Sequence, residues 1–201
     1  MNDIAHNTLG LDLFLVGAGA IVFAAYLLYG HWLIVKKPEM KDDVNRGFGA
    51  ALLVVGLMSL ILAIEMFFEP FLPAWALELY GTGIGIYSIL LLVGGFTIYI
   101  GSSLRAASYL AALGGLLMFQ EANIINMFGL SQTPIATVAL FALGGLVGLS
   151  TLLVTHLSSG QKAIGWPSVL TAVLAILFGL LSLYIGFNAI FGHVASSLVT
   201  P

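Results

Sequence analysis

Six uninterrupted apolar stretches divide this sequence, near Leu9–Val35, Gly47–Phe68, Tyr80–Gly101, Leu104–Phe128, Pro134–Leu157 and Gly165–Phe191. Each is long enough to cross about 30 Å of hydrocarbon at about 1.5 Å per helical residue. The runs are continuous, whereas the strands of a membrane barrel alternate in polarity over roughly ten residues. The chain therefore reads as all-α: an integral membrane bundle of six transmembrane helices forming one domain over residues 1–201. Composition agrees. Only 7% of residues are charged and 60% are hydrophobic, against about 25% charged in a soluble domain. So few charges cannot cover a water-facing surface, and the expected surroundings are a lipid bilayer.

The basic residues orient the spans. Lys36, Lys37, Lys41 and Arg46 lie between the first and second, Arg105 between the third and fourth, and Lys162 between the fifth and sixth. All six therefore fall on alternate loops, the pattern that keeps lysine and arginine cytoplasmic. The expectation is a multi-pass protein of the cell membrane, N-out and C-out, with both termini non-cytoplasmic. Trp32 and Trp166 fall at the cytoplasmic ends, where indole rings favour the headgroup level. The first span follows Asp3 and precedes lysines, the reverse of a secretory signal's charge order, so it is expected to remain in the mature protein.

Much chemistry is excluded. The chain has no cysteine, which removes disulfides, thiolate metal sites and cysteine nucleophiles. It has no Gly-x-Ser-x-Gly, no phosphate-binding loop and no basic cluster for nucleic acid. Lys36 to Arg46, with Glu39, Asp42 and Asp43 interleaved, reads as a solvated loop. Nothing here points to an enzyme.

What remains is a set of polar side chains inside the spans, where an ionisable group is costly and a functional candidate by default. Asp12 lies near the outer end of the first span, Glu65 near that of the second, and Glu121 about two turns inside that of the fourth. Gln120, Asn123 and Asn126 accompany Glu121, and Asn188 lies near the outer end of the sixth span. With Glu69, Glu78 and His193, the outer half is acidic and rich in amides, and no basic residue is expected there to neutralise it. Carboxylates so placed must take a proton, hold a cation or face a water-filled vestibule. Asp12, Glu65, Glu121, Gln120, Asn123, Asn126 and Asn188 thus form the candidate solute or ion site. Glu121 and Asn126 sit about 140° apart on a helical wheel and cannot both face one lumen. Glu65, Glu121 and His193 are candidate metal ligands, although no compact Glu-x-x-His motif is present. His31 and His156, both near cytoplasmic helix ends, are candidate axial ligands for haem b. No cofactor is otherwise expected.

Several short elements carry resemblances. Leu9-Gly10-Leu11 followed by Val16-Gly17, Asn45 followed by Phe48-Gly49, and Gly95-Phe96-Thr97 resemble the small six-helix urea and short-chain amide channels. That resemblance implies a narrow solute passage with the N-terminus outside. The channel family continues Gly-Phe-Thr with further aromatics, where this chain has Ile98, Tyr99 and Ile100, and it places a glutamate in helix six, where this chain has no acid. The turn Glu69-Pro70-Phe71-Leu72-Pro73 is similar to an uncharacterised, mainly archaeal family of small membrane proteins, which implies no function.

Two functional expectations follow. One is a channel or carrier for a small polar solute or cation, entered from an acidic outer vestibule. The other is a non-catalytic accessory subunit of a larger respiratory or oxidase-type membrane complex, its glycine-rich faces meeting partner helices. The expected partners are further copies of the chain or other membrane subunits. A membrane protein binding a metal or haem is a third reading. Because the chain lacks cysteine, its topology is directly testable: in intact cells a membrane-impermeant maleimide is expected to label Ser131→Cys, and Ser103→Cys only after permeabilisation.

Overall fold

A computed structural model of the chain describes residues 8–68, 77–131, 133–157 and 165–199, with the backbone alone given over 193–199. It is built from six long helices: α1 (Thr8–Lys36), α2 (Lys41–Phe68), α3 (Leu77–Tyr99), α4 (Arg105–Phe128), α5 (Pro134–Leu157) and α6 (Trp166–Val199). All but α4 are long and apolar enough to cross a membrane. In α4 the polar residues Gln120, Glu121, Asn123 and Asn126 lower the balance within its last three turns. The segment read as a solvated loop is mostly helical: Pro38–Met40 form a 3₁₀ turn leading directly into α2, whose first turn carries Asp42 and Asp43. Acids there complement the positive end of the helix dipole. The turn Glu69–Pro73 and Lys162 lie outside the described residues.

Glycines end two helices where an L side chain would be strained. Gly101 (φ 67°) and Gly129 (φ 62°) adopt the left-handed conformation just beyond α3 and α4. The amides of Ser102 and Leu130 reach back to the carbonyls of Thr97 and Ile125, the 6→1 bond of a Schellman ending. A π-helical turn interrupts α1 at Tyr26–Gly30 and another opens α3 at Leu77–Gly81. The first sits where Tyr26 meets α2: its hydroxyl donates to Asn45 Oδ1 at 3.2 Å and its ring lies 5.6 Å from that of Phe48.

The helices form a ring in chain order, and α6 closes it against α1. Lipid is as apolar as leucine, so such a ring is held by close packing rather than by expulsion of apolar surface from water. Glycine supplies the closeness along three seams. A Cβ on Gly17 of α1 would lie 2.7 Å from the Gly179 carbonyl oxygen of α6, and one on Gly186 2.7 Å from that of Gly10. Gly49 and Gly95 bring α2 against α3, and Gly115, Gly145 and Gly148 bring α4 against α5. Ala111, Gly115, Gly148 and Gly186, small residues at helical spacing, thus form packing surfaces. The seam between α3 and α4 is the loosest in the ring.

The centre is filled. Phe178 of α6 is 1% exposed and its ring lies 5.4 Å from that of Tyr87 on α3. Leu13, Val16, Ile84 and Leu140 pack around them. Gly17→Val should lower thermal stability by about 1–3 kcal/mol through overpacking. Gly85→Val, whose Cβ would meet nothing within 4 Å, should change it little; thermal unfolding in detergent compares the two.

Candidate functional site: two buried carboxyls

A fully buried polar chain links the first three helices. Asp12 of α1, Ser59 of α2 and Ser88 of α3 are each 0% exposed. The Ser59 hydroxyl donates to Asp12 Oδ1. Ser88 Oγ lies 2.7 Å from Ser59 Oγ and 2.8 Å from the carbonyl oxygen of Ile84, one turn earlier on its own helix. Asp12 Oδ2 is buried without a hydrogen-bond partner among the described residues. Ser88 is the middle residue of α3, with 77–87 before it and 89–99 after it. Asp12 stands in the second turn of α1, as the sequence places it, and is linked through Ser59 of α2 to the midpoint of α3.

A hydroxyl has one proton to donate and lone pairs to accept with, so this chain can be satisfied in two polarities. With Asp12 ionised, Ser88 donates to Ser59 and Ser59 to the carboxylate. With Asp12 protonated on Oδ1, the carboxyl donates to Ser59, Ser59 to Ser88, and Ser88 to the Ile84 carbonyl. The distances fit both, and rotation of two hydroxyls converts one into the other. A carboxyl that gains and loses a proton at this position need not leave a serine orphaned.

Glu121 of α4 occupies a second, separate place. It is 8% exposed, and its Oε2 has no hydrogen-bond partner among the described residues. It lies over α3 at Gly83, where a Cβ would be 3.0 Å from Glu121 Oε2 and 3.1 Å from the ring of Phe141. Gly83 therefore admits both the carboxyl and the aromatic ring. Tyr80 stacks at a tilt on Phe141, with ring centroids 5.7 Å apart. Gly83 stands five residues from Ser88, so Glu121 and the serine end of the Asp12 chain meet α3 at levels about 7.5 Å apart. A small cavity of about 20 Å³ lies beside Gly83 and Ile84, bounded by Leu13, Tyr87, Phe141 and Phe178.

The other sequence candidates are not drawn into this interior. Glu65, Gln120, Asn123, Asn126 and Asn188 are exposed on the outside of the ring. The Asn188 side-chain amide donates to the Tyr184 carbonyl at 2.8 Å on its own helix. The α4 periodicity explains the split: Glu121, Ala122 and Ile125 face inward, while Gln120, Asn123 and Asn126 occupy the opposite face. Glu78 is exposed within the first turn of α3 rather than in a loop. His31 is half-buried on α1 and His156 exposed on α5, two helices that are not neighbours in the ring. His156 Nε2 lies 3.0 Å from the Tyr109 hydroxyl, and Nδ1 3.0 Å from both Thr155 Oγ1 and the Leu152 carbonyl. The side chain of His193 lies outside the described residues. Among the described residues no three His, Asp or Glu side chains come together as a metal site.

Sequence reasoning missed Ser59, Ser88 and Gly83. A signal was present for Ser59, the lone hydroxyl in the middle of its apolar span, but not for Ser88, which shares its span with other hydroxyls.

A model of a family described as "Protein of unknown function (DUF981)" matches residues 3–196. The chain belongs to that family. The DUF981 match fits the likeness to an uncharacterised family seen at Glu69–Pro73 and lends none to the urea-channel likeness. No curated protein and no solved structure matches this DUF981 chain.

If Asp12, Ser59 and Ser88 act as one unit, their substitutions will not add. Asp12→Asn and Ser59→Ala should show a coupling of about 0.5–3 kcal/mol in a double-mutant cycle. The same cycle between Asp12→Asn and Thr97→Ala should give about zero, since Thr97 bonds only to the Val93 carbonyl on its own helix.

Proposed function

We propose that this protein is a proton-coupled membrane carrier for a small polar solute or cation, with Asp12 as the carboxyl that loads and releases the proton and Glu121 as a second acidic station. The observation that carries this reading is the Asp12–Ser59–Ser88 chain. Its carboxyl is wholly buried, has one oxygen without a partner among the described residues, and is joined to hydroxyls able to serve either protonation state. A buried carboxylate with no basic partner is neutralised by a proton or a cation, and a site that accepts both forms can exchange them.

The packing of Phe178 on Tyr87, which fills the ring at their level, supports a carrier over an open channel. Tyr87 and Met118 stand between the small cavity near Glu121 and a larger cleft on the side where α4 begins, lining both. Passage would therefore require helices to move rather than water to fill a standing pore. In the orientation read from the basic loops, Glu121 lies on the non-cytoplasmic side of that aromatic layer. The accessory-subunit reading draws on no comparable feature of the interior.

The test is reconstitution into liposomes with a trapped pH-sensitive dye, imposing gradients of sodium, potassium or methylammonium in turn. Proton movement above that of protein-free liposomes is expected with at least one gradient. Asp12→Asn should abolish it, Ser59→Ala should slow it, and Glu65→Gln should leave it intact. Unchanged flux in the Asp12 variant would sink the assignment. Stoichiometric co-purification with other chains, and no flux from the isolated protein, would favour the subunit reading.

A further inference from the structure

The loose seam between α3 and α4 borders a cleft enclosing about 100 Å³, whose inner wall is formed by Phe23 and Leu27 of α1, Leu52 of α2 and Val147 of α5. At one limit Gly114 of α4 meets α3 closely: a Cβ there would be 3.0 Å from Ile86 Cγ2 and 3.2 Å from Leu90 Cδ1. Below that contact the helices part. Gly94 of α3 lines the cleft, and a Cβ on it would meet nothing within 4 Å. Opposite it, α4 presents Ala107, Ser108 and Ala111, and the hydroxyls of Thr151 and Thr155 on α5 lie at the far wall. Along α4 the gap runs from Leu104 to Gly114, about 15 Å at the helical rise. The walls are almost wholly apolar, so the cleft suits neither a hydrated ion nor a polar solute. Its length and narrowness suit one flexible hydrocarbon chain.

Its Leu104 end is different. Arg105 is exposed, the next residue after Leu104, and it opens the 24-residue α4. Ser102 and Ser103 are exposed beside it. The first amides of a helix have no intrahelical acceptor and carry the positive end of its dipole. The Arg105 amide donates to Ser103 Oγ at 3.4 Å, which leaves the guanidinium, the serine hydroxyls as donors and the amides that follow to recognise phosphate. An apolar slot that begins beside a phosphate-binding helix start matches the two halves of one amphiphile.

We propose that the α3–α4 cleft is a binding site for an anionic phospholipid, one acyl chain lying between Gly94 and Ala107–Ala111 and the headgroup phosphate at Arg105. This site is independent of the carrier assignment. It lies on the other side of Tyr87 and Met118 from Glu121, and it uses neither buried acid. Glycine at position 94 and alanine at 107 and 111 keep the slot open, where the three glycine seams close the other helix pairs.

The proposal is tested on the full chain in nanodiscs containing equal phosphatidylglycerol and phosphatidylcholine, released into mild detergent and weighed by native mass spectrometry. The wild type is expected to retain one phosphatidylglycerol in preference to phosphatidylcholine. Gly94→Phe, or the smaller Gly94→Leu if the first is not monodisperse, should reduce retention about tenfold, the worth of exposing roughly two methylenes. Gly85→Phe, on the same helix and equally unobstructed but outside the cleft, should retain the lipid as the wild type does. Arg105→Gln should keep a bound lipid while the preference for phosphatidylglycerol falls to parity. Equal retention in the Gly94 variants, or no bound phospholipid in the wild type, overturns the proposal. So does a wild-type dimer that Gly94→Phe dissociates, which would assign the cleft to a second copy of the chain.

Discussion

Backbone contact through glycine is what the rest of this structure rests on. Surrounded by lipid, apolar helices gain nothing by hiding side chains from water, and dispersion contacts at short range must hold them together. Gly17 and Gly179 bring α1 and α6 together, Gly49 and Gly95 bring α2 onto α3, and Gly115, Gly145 and Gly148 bring α4 onto α5. Each side chain omitted lets two backbones meet, and the larger residues left over, Phe178, Tyr87 and Leu140 among them, fill the middle of the ring.

That packing also imposes a cost which two residues bear openly. Leaving a buried polar group without a partner costs about 1–3 kcal/mol, and Asp12 and Glu121 each leave one oxygen in that state among the described residues. A well-packed apolar residue at either position would be the simpler way to complete the bundle. The serines at 59 and 88 offset part of the cost at Asp12. Glu121 has Gly83 and Phe141 around it instead, so the two acids sit in different chemical settings although both lie against α3. The loosest seam, between α3 and α4, is where the bundle keeps space. In this ring, closeness and vacancy are set by the same choice between small and large residues.

The six helices were legible because a span must satisfy its own backbone hydrogen bonds, which forces long continuous apolar runs in the sequence. Their ends were legible to within a few residues, except at Lys41–Arg46, where charged residues form helix rather than loop, and at α6, which runs eight residues past Phe191 to Val199. The small-residue stripes were legible as packing surfaces. The candidate site was legible only in part. Acids stand out in apolar sequence whichever way they face, so Asp12, Glu65 and Glu121 were all visible, yet only Asp12 and Glu121 are buried.

The sequence by itself determined the helix count, the lengths and the clustering of basic residues on alternate loops, all of which follow from local composition. Only the tertiary structure decided which acids enter the core, that Asp12 meets two serines from other helices, and that α3 and α4 stand apart. Those outcomes depend on the rotation and depth at which each helix meets its neighbours. In a membrane bundle these are set by where glycines from distant parts of the chain allow two backbones to touch, a property of pairs of helices that no single span contains.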